Sequence, residues 1–80
     1  MTGTAAQVAP ALTSDEALRI ARSDAERVYS DLHLYRIEII LESDGWHIDF
    51  ELKDSSLNGG GPHYVIDAAT GTVLFKKYYQ

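Results

Sequence analysis

Residues 59–71 read GGGPHYVIDAATG, and this stretch sets the fold by placing two turns around one short strand. The glycine run predicts a loop between strands. Pro62 suits the start of a strand, where a missing backbone N–H does least harm. In the turn 68–71, Asp67 can cap backbone amides, and Gly71 tolerates the left-handed conformation. We therefore expect strands over about 63–67 and 72–78 to form a hairpin.

A four-residue loop between these strands predicts which side chains share a face of the hairpin. The pairs expected on the face that covers the core are Ile66 with Val73 and Tyr64 with Phe75. The pairs expected on the opposite face are Val65 with Leu74 and His63 with Lys76.

Upstream, apolar and polar residues alternate over 35–42 and over 46–53, which predicts two half-buried strands. Asp44-Gly45 lies between them and is typical of the centre of a type I′ turn. With that pair as the turn centre, the expected pairs are Ser43 with Trp46, Leu41 with Ile48, Ile39 with Phe50 and Ile37 with Leu52.

A helix is predicted before the strands, from Ser14 to about Ser30. Thr13 followed by Glu16 has the spacing of a capping box, in which each side chain bonds a free backbone amide of the other residue. Residues at helical spacing form an apolar stripe expected to face the sheet: Ala17, Leu18, Ala21, Ala25, Val28 and Tyr29. The charged residues expected to point largely away are Arg19, Arg22, Asp24, Glu26 and Arg27.

These elements predict an α+β fold with one N-terminal helix packed on a four-stranded antiparallel meander sheet. We expect residues 1–12 to be a flexible tail and residues 13–80 to be a single domain. The chain has 80 residues and no cysteine, so no disulfide reinforces its small core. With no signal-peptide pattern near residue 1 and no long apolar run, the expected location is cytoplasmic.

The net charge of −5 argues against nucleic acid and against an anionic membrane, because both select cationic surfaces. A protein of complementary charge is the expected partner. The predicted partner-binding surface is the sheet face away from the helix. It carries an apolar strip of Ile40, Val65 and Leu74 among the carboxylates of Glu38, Asp49 and Glu51. A face that is merely solvated, as in many antiparallel sheets, is the alternative.

No catalytic, metal or cofactor site is expected. Glu38 opposite Glu51, near Asp49, is the best carboxylate set for acid–base chemistry, yet an open sheet face offers no shielding to shift a pKa. His33, His47 and His63 lack the short spacings of metal-binding motifs. The glycines at 59–61 precede a strand, whereas a phosphate-binding loop precedes a helix.

The string GGGPHYVIDAATGTVL, residues 59–74, follows an alanine-spaced helix and an Asp-Gly-Trp hairpin. In this combination it resembles small bacterial immunity proteins of polymorphic toxin systems, grouped with the NTF2-fold immunity proteins. It also resembles the PepSY domain, whose final hairpin has a similar Asp-x-x-Thr-Gly turn. Neither family carries a catalytic motif that transfers to this chain, and both imply a binding or inhibitory role.

The expected function is therefore non-enzymatic protein binding, with an immunity-type inhibitor of a bacterial toxin as its most specific form. A PepSY-like peptidase-inhibiting or ligand-binding module is one alternative. A self-associating structural domain, such as a homodimer, is another.

Overall fold

The computed structural model describes residues 11–54 and 60–78. Its elements follow the chain as α1 (Ser14–Ala25), a 3-10 turn (Leu32–Leu34), β1 (Tyr35–Glu42), β2 (Gly45–Leu52), β3 (His63–Ile66) and β4 (Val73–Lys77). The sheet is antiparallel in the order β1-β2-β3-β4. The predicted α+β fold, a helix on a four-stranded meander, is confirmed. Residues 1–10 of the predicted tail lie outside the described residues, as does Gly59.

The capping box at the start of α1 is present as predicted. The Glu16 amide donates to Thr13 Oγ1 at 3.1 Å, and the Thr13 amide donates to Glu16 Oε1 at 2.8 Å. The helix ends at Ala25, before the predicted end at Ser30. After it the amide of Val28 bonds the carbonyl of Ala25, three residues back, which tightens the last turn. β-Branched Val28 and aromatic Tyr29 lie shortly after Ala25, and their weaker helix propensity suits this early end.

Three fully buried alanines of α1, at positions 17, 21 and 25, let the helix lie close against the sheet. They face a core built from β2 and β3, whose buried side chains are Ile48, Phe50, Tyr64 and Ile66. Within the described residues no helix is long and apolar enough to cross a membrane.

The β1–β2 register differs from the predicted one by two residues. The loop is Ser43-Asp44, so that Glu42 pairs with Gly45 and Ile39 pairs with Ile48. Among the described residues only glycines have positive φ, so Asp44 is not in a type I′ turn and that prediction is wrong. A shift by two keeps every side chain on its predicted face, because the strand period is two.

Gly45 serves a different purpose from the one predicted. Its φ of +136° belongs to glycine, and a Cβ there would lie 2.4 Å from the carbonyl oxygen of Ile66 on β3. Glycine at this position therefore permits close approach between neighbouring backbones instead of forming the turn centre.

The β3–β4 hairpin contains a bulge that the sequence pattern did not predict. Ile66 pairs with Val73 as expected, but Val65 then pairs with Phe75, Tyr64 with Lys76 and His63 with Lys77. Leu74 is the extra residue of β4, and the residues after it exchange faces. The predicted pairs Val65–Leu74, Tyr64–Phe75 and His63–Lys76 are therefore wrong. The predicted turn is confirmed: Gly71 has a φ of +80°, and Asp67 accepts the amides of Ala69 and Thr70.

Candidate functional site: the outer sheet face

The sheet face away from α1, here called the outer face, carries one transverse row with a member on each strand. Ile40 pairs with His47, His47 with Val65, and Val65 with Phe75. At the two ends of the row, Ile40 is 49% exposed and Phe75 is 50% exposed. Val65, in the middle, is only 7% exposed because its neighbours cover it. We call Ile40, Val65 and Phe75 the apolar row.

The structure brings two members of the predicted strip, Ile40 and Val65, into this row. Leu74 has no cross-strand partner because it is the bulge residue, and it is 53% exposed beside Phe75. Phe75 occupies the paired position that was predicted for Leu74. Sequence reasoning placed Phe75 in the core, because strict alternation gives no signal of an inserted residue.

The three predicted carboxylates lie together on the outer face, but their surroundings differ. Asp49 Oδ1 is 2.5 Å from Nδ1 of His63 on the next strand. Glu51 accepts a hydrogen bond of 2.6 Å from the guanidinium of Arg36. Glu38 pairs across the ladder with Asp49, and within the described part of the chain no ion pair neutralises it. Glu38 therefore supplies the uncompensated negative charge beside the apolar row.

Two histidines connect these charges to the apolar row. The His47 and His63 rings are 5.8 Å apart, and the His63 ring is 5.9 Å from that of Phe75. His47 Nε2 lies 2.6 Å from Asp44 Oδ1, and this bond lowers the pKa of the Asp44 carboxyl. Each imidazole on this face thus has a carboxylate partner.

Two groups of side chains could offer ligands to a metal ion, with their ligand atoms within 4.8 Å of one another. These groups are Glu42, Asp44 and His47, and Glu38, Asp49 and Glu51. Histidine spacing did not predict the first group, which the β1–β2 loop assembles. The second is the carboxylate set that the sequence predicted, but Glu38 lies opposite Asp49 and not opposite Glu51. Exposed carboxylates gather in this way on many proteins without an ion, so we assign no metal site here.

On the opposite side of the sheet, Asp24 is the centre of a polar cluster. Its carboxylate accepts hydrogen bonds from the hydroxyls of Tyr64 at 2.7 Å and Tyr78 at 2.6 Å, and Lys76 Nζ lies at 3.3 Å. The prediction that Asp24 points away from the sheet is wrong. The bulge brings Lys76 to this side, which also corrects its predicted place on the outer face.

These contacts perturb the acidity of the groups in the cluster. The hydrogen bond from Tyr78 lowers the pKa of Asp24 most, and burial opposes it in part. Burial raises the pKa of Tyr64, and the neighbouring Asp24 raises it further. The cluster therefore joins α1 to β3 and β4 through an ionised carboxylate. An open cleft of about 440 Å³ lies beside it, lined by Arg19, Ile20, Ser23, Asp24, Arg27 and Val73.

The outer face and the Asp24 cluster differ in what they leave exposed. The carboxylate of the cluster is hydrogen-bonded within it, whereas the outer face exposes apolar side chains and, among the described residues, a carboxylate with no ion-pair partner, Glu38. Comparison with protein-family models, with curated proteins and with solved structures gave no match to this chain.

Proposed function

We propose that this chain is a protein-binding domain and that its outer sheet face is the binding surface. The observation that supports this is the apolar row, in which Ile40 and Phe75 each leave about half of their surface in water. Leu74 adds a third exposed apolar side chain, beside Phe75. Leu74 and Phe75 adjoin each other on β4, and exposed apolar groups rimmed by polar ones are typical of protein interaction sites.

The chemistry of the face defines the partner. The apolar row needs an apolar counterpart, and Glu38 beside it favours a lysine or arginine of the partner. The ion pair of Arg36 with Glu51 already neutralises part of the rim. We therefore propose a partner surface with an apolar centre and a single basic group at its edge.

Binding is favoured over catalysis because the carboxylates stand on an open face. Glu38 is exposed, whereas acid–base catalysis requires a carboxylate in a shielded pocket. A bacterial toxin held by an immunity-type inhibitor is the most specific form of this proposal. A PepSY-like module that inhibits a peptidase or binds a ligand is the other form.

The proposal is tested by placing a charge in the apolar row. Ile40→Lys and Phe75→Lys each introduce an ammonium where the partner's apolar surface would bury it, which is strongly unfavourable at the centre of an interface. Glu26→Lys, on an exposed position after α1, is the control for added positive charge. Tagged parent and variants would be used to capture partners from the source cell, with mass spectrometry of the captured proteins.

We expect the parent and Glu26→Lys to retain the same stoichiometric partner, and both row variants to lose it while keeping the parent's melting temperature. Retention of the partner by both row variants would show that the outer face is only solvated surface. Unfolding of both would show that the row supports the fold itself.

A further inference from the structure

Among the strands of the described residues, none pairs with the outer edge of β1. β1 is the first strand in the sheet order, and none of its eight residues is buried. The amide of Phe50 donates to the carbonyl of Pro62, and the carbonyl of Phe50 accepts the amide of Gly61, so the backbone of Phe50 points toward β3. Hydrogen bonding alternates along an antiparallel strand. Opposite Phe50, the backbone of Ile37 therefore points out from the sheet, as do those of Ile39 and Leu41.

The two edges of the sheet are built differently. β4 has five residues, a bulge at Leu74 and two lysines, which are features that discourage pairing with another chain. β1 has eight residues in an unbroken ladder, with neither lysine nor proline. It also carries three successive apolar residues, Ile39, Ile40 and Leu41. The β4 edge is thus better protected against strand addition than the β1 edge.

We propose that β1 pairs antiparallel with β1 of a second copy of this chain, about a two-fold axis at Ile39. The outward backbone groups of Ile39 then bond those of the same residue in the second copy, and Ile37 bonds Leu41. On the outer face of this ladder, Arg36 lies opposite Glu42 of the second copy, twice by symmetry. A guanidinium has five donors, so Arg36 keeps its bond to Glu51 while it binds Glu42.

Charge distinguishes this register from its neighbours. An axis at Glu38 places that carboxylate opposite Glu38 of the second copy. An axis at Ile40 places Glu38 opposite Glu42 of the second copy. Both registers oppose like charges and are unfavourable. An axis at Ile37 joins Arg36 to Glu38 but leaves only residues 35–39 in the ladder. The axis at Ile39 retains residues 36–42 and opposes unlike charges only.

Apolar burial on the helix side favours the same arrangement. The core against α1 is formed by β2 and β3, so the inward side chains of β1 are incompletely covered, and Leu41 is 45% exposed. In the proposed dimer Ile39 meets Ile39 of the second copy, and Ile37 meets Leu41. The two sheets, of four strands each, become one continuous sheet with both helices on one side. This inference does not depend on the outer face binding another protein.

The first test measures association of the full chain by sedimentation velocity over a concentration series, together with amide hydrogen exchange. We expect a species of twice the chain mass, with protected amides at Ile37, Ile39 and Leu41, whose N–H groups point away from β2 at the sheet edge. A monomer at every concentration, or a dimer in which these three amides exchange freely, would overturn the proposal.

The second test reverses charge in the ladder. Glu42→Arg places two arginines opposite each other at both ends of the dimer, and we expect the dissociation constant to rise about tenfold. Adding Arg36→Glu to that variant restores unlike pairs and is expected to restore most of the association. Glu26→Arg is the matched control and should associate like the parent. Melting temperatures establish that every variant is folded.

Glu38→Arg tests the register. With the axis at Ile39 it leaves association nearly unchanged, because Glu38 then faces Ile40 of the second copy. Weakening by Glu38→Arg but not by Glu42→Arg would reject the axis at Ile39 and assign it to Ile37.

Discussion

Replacing Tyr64 by phenylalanine would remove a single oxygen from the joint between α1 and the sheet. The Tyr64 side chain is fully buried, and its hydroxyl donates to Asp24 at 2.7 Å. Phenylalanine keeps the ring and its edge-on packing against Phe50. The change therefore isolates the hydrogen bond from the apolar packing around it.

The magnitude follows from what remains after the substitution. A hydrogen bond to a charged group contributes about 1.5–3 kcal/mol. Asp24 keeps its bonds from Tyr78 and Lys76, and its side chain is 19% exposed, so solvent compensates part of the loss. We expect a loss of about 1–1.5 kcal/mol, which corresponds to a fall of about 5–10 °C in melting temperature for a domain of this size.

The loss of unfolding free energy caused by Tyr64→Phe should also depend on pH. Because the native pKa of Asp24 lies below its ordinary value of 3.8, ionised Asp24 stabilises the fold above that value. This contribution is lost as the pH falls through the lowered native pKa. The effect of Tyr64→Phe should therefore be largest near neutral pH and should shrink on acidification below 3.8.

Urea unfolding followed by circular dichroism at pH 7 and at acidic pH measures both quantities. Tyr35→Phe is the matched control, because within the described residues its hydroxyl has no hydrogen bond, and it should unfold like the parent. An unchanged free energy of unfolding for Tyr64→Phe would refute the bond to Asp24. A loss of equal size at both pH values would assign the effect to packing.

Two further predictions concern the core and the β1–β2 loop. Phe50→Ala, at a buried position, should cost about 3–5 kcal/mol and leave most of the chain unfolded, which a denaturant titration would show; a parent-like midpoint would remove Phe50 from the core. Gly45→Val should lower the melting temperature far more than Asp44→Asn. The Cβ of the valine would lie 2.4 Å from the Ile66 carbonyl oxygen, and valine is strained at the φ of +136° found there. Equal melting temperatures for those two variants would contradict the close approach of β2 to β3.

The sequence predicted the fold because its periodicities are regular where the elements are regular. Alternation in β1 and β2 assigned side chains to faces correctly, and it did so although the loop lies one residue earlier than expected. The capping box marked the start of α1 for a local reason, since two side chains three residues apart satisfy each other's backbone.

The features that the sequence did not reveal depend on distant partners. Asp24 looks like a solvent-facing helix residue until Tyr64 and Tyr78, 40 and 54 positions away, are seen to donate to it. The bulge at Leu74 is needed to bring Lys76 to the same cluster. The same bulge turns Phe75 outward. One of the two exposed ends of the apolar row therefore could not be predicted from alternation alone.

The meander order has a consequence for how the chain acquires its structure. Every strand pairs with its neighbour in the sequence, so the sheet can grow by successive hairpins with short loop closures, an arrangement that favours rapid folding. The helix segment is synthesised before all four strands, yet a segment of 12 residues is only marginally helical alone in water. Asp24 on the helix can accept the hydrogen bond from Tyr64 only after β3 has formed, and the hydrogen bond from Tyr78 only after β4 has formed. Docking of α1 on the sheet is therefore expected to be the last event of folding. Until then the apolar side of the growing sheet is exposed to other chains.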